Sequence, residues 1–112
     1  MTTEILSEDY REFLFAHSAD TTAKIFLLIN AFVVMAMNSA LANVDNIFVY
    51  RAGAIRAPKA TGEVWAPLDK IYWNDTNKNF TITVGTNTLA GYVVKDAATG
   101  DTEGIIDLDP SA

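Results

Sequence analysis

The 112-residue sequence contains no cysteine, which excludes disulfide bonds and zinc sites with thiolate ligands. Its single histidine, His17, excludes a metal site with two histidine ligands, and a Ser-His-Asp triad would depend on that one residue. None of the six glycines is followed by a lysine, which excludes the phosphate loop of P-loop ATPases. These absences predict a protein that is not an enzyme and uses neither a cofactor nor a metal ion.

Positive charge is also scarce, because 8 lysines and arginines stand against 14 aspartates and glutamates, which gives a net charge of -6. An acidic surface repels nucleic acid phosphates and anionic lipids, so we expect neither nucleic acid nor a membrane as a partner. Half of the residues are hydrophobic, which is too many for a disordered chain, and the length suits one domain.

The most apolar run, KIFLLINAFVVMAMNSALA at residues 24–42, decides the fold class. Asn30, Asn38 and Ser39 interrupt it and no basic cluster flanks it, which argues against a membrane helix. A signal peptide needs a short basic leader, whereas the preceding segment is acidic. A buried helix and a pair of strands joined at Asn30 both remain open, and the many β-branched and aromatic residues favour the strands.

The following segments have the pattern of short strands. Residues 46–58 predict a strand pair with a bend or bulge at Gly53. The polar segment NDTNKN at 74–79 predicts a hairpin turn between strands at 69–73 and 80–84.

Two more strands are expected at residues 89–94 and 104–108. Short strands at near-regular spacing predict an all-β fold, namely a small single-domain β-barrel or sandwich. Residues 1–15 differ in pattern and would form an N-terminal arm, extended or briefly helical, on a β-domain of residues 16–112.

Large apolar side chains at the N-terminus and in the second half of the chain are candidate partner-binding residues. Those in the arm can cover the core of their own chain or dock on a neighbouring subunit. The two tryptophans can anchor an interface or pack in the core. The candidates are Tyr10, Phe13, Leu14, Phe15, Trp65 and Trp73.

Two longer segments carry a resemblance to a known family. GEVWAPLDKIYWNDTNKNFTIT at 62–83 has a tryptophan, a short turn, an aspartate, a strand ending in Tyr-Trp and a threonine-rich return strand. NTLAGYVVKDAATGDTEGIIDL at 87–108 has a strand after glycine, an alanine-rich turn and a closing strand. Together they resemble the bacteriophage capsid cement (decoration) protein family, formerly a small phage domain of unknown function. The resemblance covers about residues 16–108 and is most specific from 62 onward.

The chain departs from the family pattern at four positions where relatives often have glycine: Asn30, Val33, Asn43 and Leu68. Asparagine can replace glycine where the backbone needs a positive φ angle. Valine and leucine do so poorly, so we expect different local turns at Val33 and Leu68.

The resemblance implies β-strands rather than a helix at residues 24–42, and a structural role without a reaction. Members of the family bind the outer surface of an icosahedral phage head, commonly as trimers, and clamp neighbouring major capsid subunits. The implied partners are therefore the major capsid protein and two further copies of the chain. The implied location is the outside of the capsid in the virion, after synthesis in the cytoplasm of the bacterial host. The alternative is a small β-domain that binds a ligand or glycan on a phage fibre or tail through exposed aromatic residues such as Trp73.

Overall fold

The computed structural model describes residues 10–109, which form eight β-strands and, within that range, no helix. Among these residues there is accordingly no helix that is long and apolar enough to cross a membrane. The strands are β1 (Tyr10–Ala16), β2 (Phe26–Ile29), β3 (Phe32–Ala36), β4 (Asp45–Pro58), β5 (Lys70–Asn74), β6 (Asn79–Thr81), β7 (Thr88–Val93) and β8 (Glu103–Leu108).

The apolar run at residues 24–42 folds as a β-hairpin, so the strand interpretation is confirmed. Strands β2 and β3 pair in antiparallel register, with Ile29 opposite Phe32. Between them Asn30 has a φ angle of 55°, which a short polar side chain tolerates in a two-residue turn. The run is apolar on both sides because the hairpin has a buried hydrophobic cluster on each of its faces.

The segment at 46–58 corrects one expectation, since it forms the single strand β4 rather than a strand pair. The expected irregularity at Gly53 is present as a register shift between Ala52 and Ile55. A bulge of this kind bends a strand and increases its twist without ending it. Strand β4 can therefore change neighbours along its length while remaining one element.

Strand β4 is the centre of the sheet. Ala52 pairs with Tyr10 of β1 and with Leu108 of β8, so these two strands lie on opposite edges of β4. Strand β3 pairs with the first half of β4, and the complete order is β2-β3-β4-β8-β7-β5-β6, with β1 beside β4.

The sheet curls until its far end meets β4 again. A parallel bridge joins Lys59, just after β4, to Phe80 of β6, and the Ala60 amide donates a 2.9 Å hydrogen bond to the Phe80 carbonyl. The result is an all-β domain with a curled antiparallel half-barrel, which confirms the predicted fold class. The main hydrophobic core lies inside the curl.

Leu68 corrects a second expectation, because it adopts a φ angle of 72° although it is a leucine. It follows Pro67 in a four-residue turn closed by a 3.1 Å hydrogen bond from the Asp69 amide to the Ala66 carbonyl. The Leu68 amide also donates to the Val93 carbonyl, at 2.8 Å, which fixes this conformation. Val33, by contrast, is buried in β3.

Candidate functional site

The first half of the sheet has a second apolar cluster on the side opposite the main core. Successive side chains of a strand point to opposite faces. In β3, Val33 and Met35 therefore belong to the main core, whereas Val34 and Ala36 belong to the second cluster. We call the ring-bearing part of this second surface the outer aromatic face, which consists of Phe13, Phe15, Phe32, Phe48 and Tyr50.

The rings of the outer aromatic face form one continuous group across β1, β4 and β3. Phe48 is fully buried beneath Phe13, with ring centroids 5.7 Å apart. Phe13 also contacts Tyr50 edge-on at 5.8 Å, and Tyr50 lies 6.2 Å from Phe32. Such pairs add about 0.5–1.5 kcal/mol each beyond the burial of area. The ring group therefore binds β1 to β4 as well as presenting a surface.

This surface is left open by the described part of the chain. Phe15 is 39% exposed and Phe32 is 44% exposed. Beside them lies a groove of about 510 Å³, which we call the outer groove. Its lining is apolar except at one residue, and it consists of Phe13, Ile29, Asn30, Ala31, Phe32 and Tyr50. Contiguous exposed apolar surface on a small domain is typical of a protein-binding site.

Two arginines lie within two residues, along the chain, of residues that line the outer groove. Arg11 of β1 is directly opposite Arg51 of β4, and a register shift separates this pair from that of Phe13 and Phe48. Arg11 precedes Phe13 by two residues on β1, so Arg11 and the opposite Arg51 lie on the same side of the sheet as the outer aromatic face. The Arg51 side chain is 54% exposed, and its ion pair with Asp109 is long, at 3.7 Å. Two like charges directly opposite each other are unfavourable, so this rim suits an anionic partner.

The structure places the predicted arm residues in different surroundings. Phe13 and Phe15 lie on the outer aromatic face, whereas Leu14 points to the other side of the sheet and is 63% exposed. The Tyr10 backbone pairs with Ala52, and its side chain lies outside the described part of the structure. The expected boundary between residues 15 and 16 falls within β1, and residues 1–9 of the expected arm lie outside the described residues.

Trp65 and Trp73, the other two candidates, fill the main core. Trp65 has no exposed surface and Trp73 is 2% exposed, so neither ring offers surface to a partner in this conformation. Trp73 packs against Phe80 with 4.9 Å between ring centroids. Trp65 lies so close to Gly104 that a Cβ atom there would come within 2.4 Å of the indole ring. The glycine is therefore needed to let the ring enter the core.

A half-buried carboxylate holds Trp65 in place. Glu63 Oε1 accepts hydrogen bonds from the Trp65 indole N–H at 2.9 Å and from the Ile82 amide at 2.8 Å, while its Oε2 accepts one from the Thr81 hydroxyl at 2.8 Å. The buried Lys59 ammonium donates to the Ala60 and Glu63 carbonyls and lies 5.6 Å from the Trp65 ring centroid. These polar groups close the curl by linking the segment after β4 to β6.

The acidic residues near the strand ends support turns. Asp69 Oδ2 accepts a hydrogen bond from the Ala66 amide, and Asp75 accepts one from the Lys78 ammonium and one from the Trp73 indole N–H. Both bonds lower the pKa of Asp75 from its usual value, and the bond from Lys78 has the larger effect. In the part of the chain that the structure describes, no group of three or more histidine, aspartate or glutamate residues is placed to hold a metal ion.

The outer groove was not identified from the sequence, although a signal for it exists. Ile29 and Phe32 belong to β2 and β3, which are apolar at every position, and Tyr50 follows three apolar residues in β4. A strand with apolar residues on both faces needs cover on both faces. The sequence does not show what provides that cover, because only the pairing of β2 with β3, and of β1 and β3 with β4, brings these side chains together.

The sequence was also compared with known proteins. No curated protein and no solved structure matched the chain significantly. A family model described as phage cement protein matches residues 9–108, and the proteins of this family are structural components of phage capsids. Because this match spans nearly the whole chain and all eight strands, the protein belongs to the phage cement protein family and has a structural role at the phage capsid.

Proposed function

We propose that the protein binds the outer surface of an icosahedral phage head as a homotrimer and clamps neighbouring subunits of the major capsid protein. It would be made in the cytoplasm of the bacterial host and would then join the virion on the outside of the shell. A head filled with DNA is under outward pressure, which a link across subunit joints resists. Because three copies bind as one unit, weak individual contacts add through effective concentration.

The observation that carries this proposal is the outer aromatic face. Phe15, Phe32 and the outer groove give a small, acidic protein an apolar surface next to two arginines. Aromatic residues and arginines are the residue types that dominate the energy of protein interfaces. The surface therefore suits a protein partner better than a small polar ligand or a glycan.

A homotrimer with threefold symmetry needs two different patches on each copy, because its interfaces are heterologous. The outer aromatic face would be one patch. Leu14, at 63% exposure, and the segment before β1 would contribute to the other. We thus propose that residues 1–15 dock on a neighbouring subunit or on the capsid, with the part in β1 contributing through Leu14.

The test combines size-exclusion chromatography with light scattering and co-sedimentation with empty capsids of the phage that encodes the protein. We expect the mass of a trimer in solution or a trimeric complex on the shell. Replacing Phe32 by Ser should weaken capsid binding or trimer formation at least tenfold, about 1.4 kcal/mol, because the exposed ring is lost from the interface.

Val84→Ser is the matched control, because Val84 is also an exposed apolar residue, at 57%, and lies away from the outer groove. It should leave the binding unchanged. A monomeric mass at high micromolar concentration that capsids do not alter would contradict the trimer. Equal losses in both variants would contradict the assignment of the outer aromatic face.

A further inference from the structure

The turn that precedes β5 exposes three consecutive apolar residues. Ala66, Pro67 and Leu68 are all exposed, and we call them the apolar tip. Leu68 is 80% exposed, which is the highest exposure of any large apolar residue in the described range. The neighbouring Val64 is 61% exposed. The apolar tip is therefore a protruding hydrophobic feature that its own chain does not cover within that range.

The apolar tip is held in a strained conformation. The φ angle of 72° at Leu68 is unfavourable for a leucine, because its Cβ atom crowds the backbone. Hydrogen bonds from the Leu68 amide to the Val93 carbonyl, and from the Ala66 amide to Asp69 Oδ2 at 3.0 Å, fix the turn. The strain thus positions a side chain that lies almost entirely in solvent. Strained backbone of this kind clusters at binding sites, where it presets the geometry of a contact.

The outer groove has the opposite shape and the same apolar character. It is a concave surface of about 510 Å³, and Asn30 is its one polar lining residue. The groove belongs to β1–β4, whereas the apolar tip lies between β4 and β5, so the two surfaces share no residue. Phe32 in the groove and Leu68 in the tip both stay exposed in the folded chain. A contact between tip and groove therefore joins two copies.

The charges near the two surfaces are complementary. Residues 63–70 and 94–101 contain four carboxylates and two lysines, which makes the surroundings of the apolar tip acidic. Two of these carboxylates, Asp96 and Asp101, line a depression next to Ala66. The outer groove instead has two opposed arginines within two residues of its lining. Opposite charges at the rims of two apolar surfaces favour their encounter and fix their relative orientation.

We infer that the apolar tip of each copy enters the outer groove of the next copy in the trimer, with Leu68 against Phe32 and Tyr50. This inference rests on the proposed homotrimer and names a contact that holds it together. A threefold ring joins two different surfaces of each copy, which the tip and the groove supply. The contact buries Leu68, and the preset turn lowers the entropic cost of ordering it.

Cysteine cross-linking tests this inference directly, because the natural chain has no cysteine and gives no background. The double variant Leu68→Cys with Ala31→Cys places one thiol on the tip and one in the groove, and it keeps the Phe32 ring. After oxidation, a denaturing gel without reductant should show linked dimers and trimers that disappear on reduction. The matched control is Leu68→Cys with Leu41→Cys. Leu41 is 71% exposed and does not line the groove, so this variant should stay monomeric on the gel.

Several gel patterns would overturn the inference. A linked monomer of altered mobility would show that the tip reaches the groove of its own copy. The absence of any cross-link, or equal ladders in both double variants, would show that the tip does not enter the groove of another copy. Species larger than trimers would indicate an open chain of copies and would contradict a closed ring.

Substitutions of Leu68 give a second readout that does not depend on disulfide formation. Leu68→Ala should weaken trimer formation at least tenfold in a dilution series followed by light scattering, whereas Leu41→Ala, which truncates another exposed leucine, should not. Leu68→Gly should weaken the trimer as much as Leu68→Ala does, although relief of the strain makes the dilute, unassembled chain more stable. A purely structural role of Leu68 would change the stability and leave the assembly unaltered.

Light scattering and co-sedimentation with empty capsids separate this inference from the proposed function. A trimer that is unchanged in Leu68→Ala, or weakened equally in Leu41→Ala, would overturn the inference and leave the trimer to another surface. A trimer that persists in Leu68→Ala but binds capsids less tightly would place the tip on the capsid instead, which also overturns it. A natural chain that is monomeric both in solution and on capsids would contradict the proposed homotrimer itself.

Discussion

Trp65, in the segment between β4 and β5, and Phe32, in β3, are both large aromatic residues, but their surroundings differ. Trp65 has no exposed surface, packs on Gly104 and donates its indole hydrogen bond to Glu63. Phe32 keeps 44% of its surface exposed beside an open groove. The main core is thus complete within one chain, whereas the outer aromatic face ends in solvent. The comparison indicates that the first region holds the fold and the second is available to a partner.

The largest expected effect separates these two regions by stability. Trp65→Ala should lower the free energy of unfolding by about 3–5 kcal/mol, because it leaves a large cavity in the main core. Phe32→Ala should lower it by about 1 kcal/mol or less, since much of the ring is already in water. Denaturant titration followed by circular dichroism measures both values.

If Trp65→Ala does not fold, Trp65→Phe provides a milder version of the same comparison. It keeps a ring in the core but removes the hydrogen bond to Glu63. Equal losses of stability in the Trp65 and Phe32 variants would contradict the division into a closed core and an open face.

The second prediction concerns the polar contacts that close the core. Glu63→Ala should cost about 2–3 kcal/mol, because the Trp65 indole N–H and the Ile82 amide would lose their acceptor. Glu63→Gln retains an oxygen that can accept from these donors and should cost clearly less. Urea titrations of both variants measure the difference, and equal costs would show that the volume of residue 63, rather than its hydrogen bonds, stabilises the curl.

The third prediction uses the strained turn after Pro67. Leu68→Gly should raise the free energy of unfolding by up to about 1 kcal/mol. The substitution removes the cost of a leucine at a φ angle of 72°, which is about 1–2 kcal/mol. The greater conformational freedom of glycine in the unfolded chain offsets part of this gain. Leu68→Ala keeps the strain and should bring no gain. Thermal unfolding distinguishes the two variants, and a loss of stability in Leu68→Gly would mean that the exposed leucine contributes packing that outweighs its strain.

The smallest expected effect depends on pH. Because the hydrogen bonds from Lys78 and Trp73 lower the pKa of Asp75 in the folded protein, its carboxylate stabilises the fold above its unfolded pKa of about 3.9. This stabilisation is lost as the pH falls through the lowered folded value. The Asp75 side chain is 53% exposed, so the contribution is a few tenths of a kcal/mol.

The matching variant is Asp75→Asn, whose free energy of unfolding should fall below that of the natural protein at pH 7 and approach it at about pH 3. Unfolding curves at the two pH values give the comparison. A difference that stays constant between them would show that the effect of the substitution does not arise from the charge of Asp75.

Several local features were predictable from the sequence because short segments determine them. The hairpin at residues 24–37 needed only two apolar strands and an asparagine that tolerates positive φ. The hairpin of β5 and β6 needed only the polar turn that follows the Tyr-Trp pair. It was less predictable that Gly53 lies within one continuous strand, because a glycine can either end a strand or form a bulge in it. The pairing of β4 with β8 on both sides of the bulge decides between the two.

The sequence by itself therefore determined the all-β class, the two hairpins and the similarity to phage cement proteins, since these depend on alternation, turn residues and local motifs. Only the tertiary structure decided which apolar residues meet. It pairs β1 with β4, buries Trp65 and Trp73 in the curl, and leaves Phe32 and the outer groove open. The physical reason is that a strand with apolar residues on both faces can turn either face toward the core. Only the long-range pairing of the strands fixes which face the chain itself covers.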